Sequence, residues 1–259
     1  MLGGSITRGG LAIFRRSPPT SRWCSMSFLE RFRWGGRDTA GSALVIVLMA
    51  VLLMSAMGLA MVLLATTDTL AASNQRDARV ALYAAEAGIE RAASELMSLP
   101  DWDAVLSGAV TSTRVDGPPT GARWLPGGGT VVLEQVANLA NCGAAAACSA
   151  PALEELTGDR PWGRNNPRWR PFLYGLPGAG GPELGVYVVV LVGDDPSETD
   201  DDPERDGRAP GNPGAGIALL RAEAFGPRGA RRIVEVAVSR VAPTPGSAAP
   251  RVLAWKEVR

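Results

Sequence analysis

Histidine is absent from all 259 residues. That excludes Ser-His-Asp and Cys-His nucleophilic machinery, imidazole-ligated zinc, and the side chain most used for proton transfer near neutral pH. An enzyme is therefore the least expected class. Lysine is nearly absent too, with Lys256 alone, so almost every cation is an arginine. Basic and acidic side chains balance at 26 each, so the composition shows no electrostatic footprint for nucleic acid, and no direct nucleic-acid partner is expected. Cysteine is scarce, at three residues.

The most informative absence is local. Between Asp38 and Asp68 the chain carries no charge at all, in "TAGSALVIVLMAVLLMSAMGLAMVLLATT". From Ser42 to Thr67 this apolar run is about 26 residues, which as a helix reaches about 39 Å against a hydrocarbon core of about 30 Å. A cleaved secretory signal has an apolar core of only about 7–15 residues, so this run is too long for one. Before it, residues 1–41 hold seven arginines (Arg8, Arg15, Arg16, Arg22, Arg31, Arg33 and Arg37) against Glu30 and Asp38, leaving the remainder net acidic by about five charges. The basic end should stay in the cytoplasm, with everything after the apolar run on the other side of the membrane. There, Cys142 and Cys148 in "NCGAAAACS" form an even pair that can close a small loop in an oxidising compartment, the alternative being two free thiols. The stretch before Met26 has no apolar core, and a start at Met26 gives the compact leader "MSFLERFRWGGRDTAG", which is the expected beginning.

The helix does not stop at the membrane. Up to Pro100 no proline intervenes, and Leu82, Ala85, Ile89, Ala92 and Leu96 recur at three- and four-residue steps. Arg76, Asp77, Arg79, Glu86, Glu90, Arg91 and Glu95 fall on other faces. A basic leader ending at Gly41, an apolar stretch directly after it and the sequence "NQRDARVALYAAEAGIERAASEL" together resemble the N-terminal domain of PilX-like minor pilins, in the type IV pilin superfamily, over about residues 37–99. Tyr83 to Glu90, "YAAEAGIE", is the most specific element.

The resemblance implies that a prepilin peptidase cuts after Gly41 and methylates the new N-terminus at Ser42. It also implies an inner-membrane subunit that later packs its helix against other pilins and minor pilins in a fibre, reaching the cell surface. Small residues such as Ala43, Ala50, Ser55, Ala56, Gly58 and Ala60 suit close helix packing. The fifth mature position, a glutamate in major pilins, is Ile46, and the mid-helix proline of major pilins is missing; both favour a minor subunit. The alternatives are a pseudopilin of a secretion system and a single-pass envelope protein with a calcium- or ligand-binding head.

After Pro100 the texture changes to apolar runs among Gly and Pro. Residues 129–136, 185–193, 216–226, 230–240 and 251–258 read as strands, with "GPRG" (226–229) as a hairpin turn. The expected fold is α+β, an antiparallel sheet packed on the outer half of the long helix. Domains are expected at 1–41 (leader), 42–67 (apolar helix), 68–99 (amphipathic helix) and 100–259 (head).

Two head segments are candidates for binding. In "GDDPSETDDDPERDGR" (193–208), Asp200, Asp202, Glu204 and Asp206 stand at alternate positions before Gly207, a spacing of hard oxygen ligands that suits calcium, although no EF-hand register is present; a solvated hairpin tip is the alternative. In "RPWGRNNPRWRPFLYG" (160–175), arginines interleave with aromatics, and Trp162, Arg164, Arg168 and Trp169 form a candidate partner surface, or else the segment clamps onto its own domain. The glycine-rich "LPGGGT" (125–130) and "LPGAGGPELG" (176–185) lack the Gly-Lys-Ser/Thr ending of a phosphate loop and read as turns.

Overall fold

The computed structural model describes residues 40–125, 128–175, 185–207, 211–240 and 250–258. The arginine-rich leader, Cys24, the Met26 start and most of "LPGAGGPELG" lie outside these. The chain divides into two compact units, one ending at Gly58 and the other spanning Leu59–Arg259.

Helix α1 runs Ala40–Ser98, as the unbroken periodicity predicts. The structure is α+β: after α1 come α2 (Asp103–Leu106), β1 (Ala122–Trp124), β2 (Thr130–Val132), α3 (Leu133–Cys142), α4 (Ala150–Glu154), β3 (Arg170–Gly175), β4 (Tyr187–Asp194), β5 (Ile217–Phe225), β6 (Arg231–Ser239) and β7 (Arg251–Val258). Strands β3-β4-β5-β6-β7 form one antiparallel sheet in sequential order, and β1-β2 pair separately.

Both faces of β4 are covered. Val188, Val190 and Val192 of β4, with the even-numbered residues Ala218 to Ala224 of β5 and Val234, Val236 and Val238 of β6, pack with the α1 residues Ala81, Ala84, Ala85, Ile89, Ala92, Ala93 and Leu96. The alternate β4 side chains, Tyr187, Val189 and Leu191, join Leu133, Val136, Trp169 and Tyr174 in a second cluster. A strand buried on both sides needs a continuous apolar run, which "VYVVVLV" supplies. Trp102 ends α1: fully buried, it donates its indole N–H to the Leu96 carbonyl at 2.9 Å, and the Arg240 guanidinium lies 4.3 Å from its ring centre. The predicted hairpin at 226–229 joins β5 to β6; its Arg228, at φ 52°, donates to Ser73 Oγ at 2.6 Å and pairs with the buried Asp77 of α1.

Two expectations are corrected. The predicted strand at 129–136 is strand only to Val132, after which α3 begins. Leu133 and Val136, with Ala137 and Ala140, recur at helical spacing onto the second cluster, and Gly143, at φ 72°, ends the helix in the left-handed region. The segment 160–175, which is not among the expected strands, contains the edge strand β3, paired with β4 and bulged between Pro171 and Leu173. The proline stands at an edge, where a missing N–H is tolerated. Cys142 and Cys148 are disulfide-bonded, closing the end of α3 onto the approach to α4.

Candidate functional site

The N-terminal half of α1 carries the processing candidates. Gly41 and Ser42 lie in its first turn, on exposed backbone, and nothing stands within 4 Å of a Cβ built at Gly41. From Leu44 to Leu64 every large apolar side chain is exposed, between 52 and 73%. The helix is long and apolar enough to cross a membrane, and its most apolar stretch is not buried. Such a surface is stable only in lipid or against other apolar helices.

The outer half of α1 does the opposite. On the element "YAAEAGIE", Tyr83, Ala87 and Glu90 face solvent, while Ala84, Ala85, Gly88 and Ile89 are buried against the sheet. A Cβ at Gly88 would come 2.8 Å from Val188 Cγ1 and 3.2 Å from Val190 Cγ2. The small residues of this motif set how closely the helix lies on β4.

In the head, the acidic loop between β4 and β5 is not arranged as its spacing predicts. Glu204 is bonded to Arg170 at 2.5 Å, and Asp202 pairs with Arg205 at 3.5 Å. Asp206 is buried, with Oδ1 accepting from Gly216 N–H at 2.5 Å and Oδ2 3.7 Å from Arg240. Asp200, Asp202, Glu204 and Asp206 are therefore not one ligand set, because the arginines of β3 and of the loop itself draw two of them away. Besides Asp206, the inward-turned acids are Asp194, at 2% exposure, and Glu198, at 3%. Glu198 Oε2 accepts from Gly207 N–H at 2.8 Å and from Asn212 Nδ2 at 3.0 Å.

Their electrostatics follow from burial. Desolvation, then the neighbouring Glu198 charge and those of Asp206 and Asp200, pushes Asp194 up to about 9, and desolvation followed by Asp200 pushes Glu198 up to about 7. Each acid then holds a proton in the folded state at pH values where the unfolded chain has released it, so stability falls as pH rises through that window. With divalent cations chelated, the full-length protein in detergent should unfold at lower temperature at pH 8 than at pH 5, whereas Asp194→Asn should lose most of that slope. A wild-type midpoint that is flat or rises between pH 5 and 8, measured by tryptophan fluorescence, contradicts this.

The aromatic-arginine segment is mostly inward. Trp169 is 6% exposed and Phe172 and Tyr174 are buried, while the Trp169 backbone is held by Asn141 through bonds of 2.7 and 3.0 Å. Arg168 lies half-buried, 4.0 Å from Glu154, its guanidinium lowered chiefly by desolvation. Of the four predicted surface residues only Trp162 and Arg164 face solvent, so a surface through Arg168 and Trp169 does not exist; the segment binds its own domain.

The signal that reading by spacing missed is the acid ending an otherwise apolar strand, "VVVLVGD", since the strand carries Asp194 into the interior with it.

Residues 40–90 match the family model described as PilX N-terminal. The match covers the apolar half of α1 and the "YAAEAGIE" contact element and ends before the sheet begins. No curated protein and no solved structure matches the chain.

Proposed function

We propose that this chain is a minor pilin-like structural subunit for type IV pilus assembly, without catalysis of its own. Held in the inner membrane by residues 42–67, with its head outside the cytoplasm, it is cut after Gly41 and N-methylated at Ser42 by a prepilin peptidase. It then packs its apolar helix among the helices of other pilins. The observation that carries this reading is the match of residues 40–90 to the PilX N-terminal family on a helix whose first half is bare apolar surface and whose second half is the spine of a β-sheet head. An ordinary anchor has no need to continue as the core element of its own head. Ile46 and the absence of a mid-helix proline support a minor rather than a main subunit.

The test is the mass and N-terminal peptide of the protein from membranes with and without active prepilin peptidase. A chain beginning at N-methylated Ser42 only when the peptidase is active, with Gly41→Leu blocking the cut, is the expected result. A chain that keeps its leader in both membranes overturns the pilin reading and leaves a single-pass envelope protein.

A further inference from the structure

The β4–β5 loop contains an acidic pair that is buried and lacks a counter-charge. Other buried acids have partners: Glu223 has Arg221 and Arg231, and Asp77 of α1 has Arg228. Asp194 and Glu198 have no such cation among the described residues, and one oxygen of each, Asp194 Oδ1 and Glu198 Oε1, is buried without a hydrogen-bond partner. An ionised carboxylate left so is costly unless something neutralises it.

The loop is built around this pair. A Cβ at Gly207 would lie 2.2 Å from Glu198 Oε2, 2.3 Å from Asp200 Oδ2 and 2.1 Å from Asn212 Nδ2, so three polar side chains converge over one glycine. At Gly214, too, a Cβ would fall 2.4 Å from Glu198 Cγ. Two glycines thus leave room for a glutamate to enter and for two further side chains to meet it. Asp206 fixes the loop's exit, with its N–H donating to Asp103 Oδ1 at 3.0 Å and its Oδ1 bound by Gly216.

The geometry points to a single calcium site in residues 193–207 and 211–216, with Asp194 and Glu198 as buried ligands and Asp200 closing over the ion from the solvent side. The donors are all hard oxygens carried on an irregular loop backbone, which suits the flexible coordination of calcium, with six to eight oxygens, better than the strict octahedron of magnesium. Among the described residues no three acidic side chains stand at the separation of a finished metal centre, so binding includes an inward swing of the exposed Asp200 carboxylate. The inference is independent of the pilus reading, and either can fail alone.

The experiment uses full-length protein in detergent, stripped with EDTA and dialysed, then unfolded by heat with calcium chloride or magnesium chloride added. At about 100-fold excess over the dissociation constant, calcium is expected to raise the midpoint by about 5–10 °C and magnesium far less. Equilibrium dialysis should find one bound calcium per chain. Asp194→Asn and Glu198→Gln should each abolish the calcium shift and, having removed a buried acid that must otherwise stay protonated, unfold no lower than wild type in EDTA. Asp202→Asn with Glu204→Gln, which touches only arginine-paired acids, should keep the shift. The site is overturned if wild type binds no calcium by dialysis, a result that does not depend on any variant folding. It is equally overturned if the shift survives in both Asp194→Asn and Glu198→Gln.

Discussion

Gly88→Val should destabilise the protein by about 3 kcal/mol, the upper end of what overpacking a core costs. The glycine is buried where α1 crosses β4, and the first atom added there already meets Val188 Cγ1 at 2.8 Å and Val190 Cγ2 at 3.2 Å. Both valines are buried in a central strand and β-branched, so neither turns aside without disturbing the neighbours packed on the same face. Valine's own methyls reach further still, and the helix or the strand must move. Valine is a better helix former than glycine by a few tenths of a kcal/mol, a gain too small to offset the clash. Gly88→Ala separates the two effects: alanine gains about 1 kcal/mol in helix propensity against a single close contact, so it should fall much nearer wild type. The control is Ala87→Val, one position along and facing solvent, expected to cost well under 1 kcal/mol. Urea unfolding of the full chain in detergent, followed by tryptophan fluorescence, reads all three. A Gly88→Val protein as stable as Ala87→Val would show that the helix does not lie on β4 at this distance.

The same contact explains why "YAAEAGIE" was legible and what it means. The pattern of alanine and glycine at three- and four-residue steps is the imprint of a helix face pressed onto a sheet, and such periodicity survives in sequence because each position is read independently of its partner. Strands β4 and β6 were legible from their β-branched runs, β5 from the glycines at 216 and 226 that bound it, and β7 from its short apolar run after Pro250. Strand β3 was hidden because it sits at an edge, contains Pro171 and begins in an arginine- and tryptophan-rich segment, so nothing in "RWRPFLYG" alternates cleanly. Helix α3 was hidden behind the β-branched "TVV" of β2, which pulls a window toward strand although Leu133, Val136, Ala137 and Ala140 keep helical spacing.

The acidic loop shows a different limit. Alternation picked out Asp200, Asp202, Glu204 and Asp206, but alternation has no meaning where the backbone is irregular. Which acid turns inward depends on Arg170, from β3, claiming Glu204, and on Gly207 and Gly214 opening a path for Glu198. Those are tertiary pairings, absent from local pattern. The processing junction is the reverse case: Gly41 and Ser42 are defined by composition on either side and by resemblance, and the exposed helix surface after them is what the resemblance leads one to expect.

Glu223→Ala should cost about 3 kcal/mol. Glu223 lies in β5 on the sheet face away from α1's apolar stripe, fully buried, and accepts from Arg221 Nε at 3.2 Å and from Arg231 Nη2 at 2.5 Å. Arg221 also reaches Glu235, and Glu235 holds Lys256 at 2.6 Å, so the charges link β5, β6 and β7 in one chain. Removing one partner from a buried pair costs about 3–5 kcal/mol because the other charge stays desolvated. The lower end applies here, since the Arg231 side chain is 43% exposed and regains water, and Arg221 keeps Glu235. Glu223→Gln retains an acceptor for one arginine and should lose less, about 1–2 kcal/mol. The discriminating measurement is a double-mutant cycle with Arg221→Ala: coupling well above 1 kcal/mol, little weakened by 0.5 M salt, is expected of a pair with a fully buried carboxylate, whereas a surface pair couples by about 1 kcal/mol or less and fades with salt. A coupling near zero would mean that Glu223 is buried for its packing alone, and that β7 is held to the sheet by its backbone ladder without help from this charge chain.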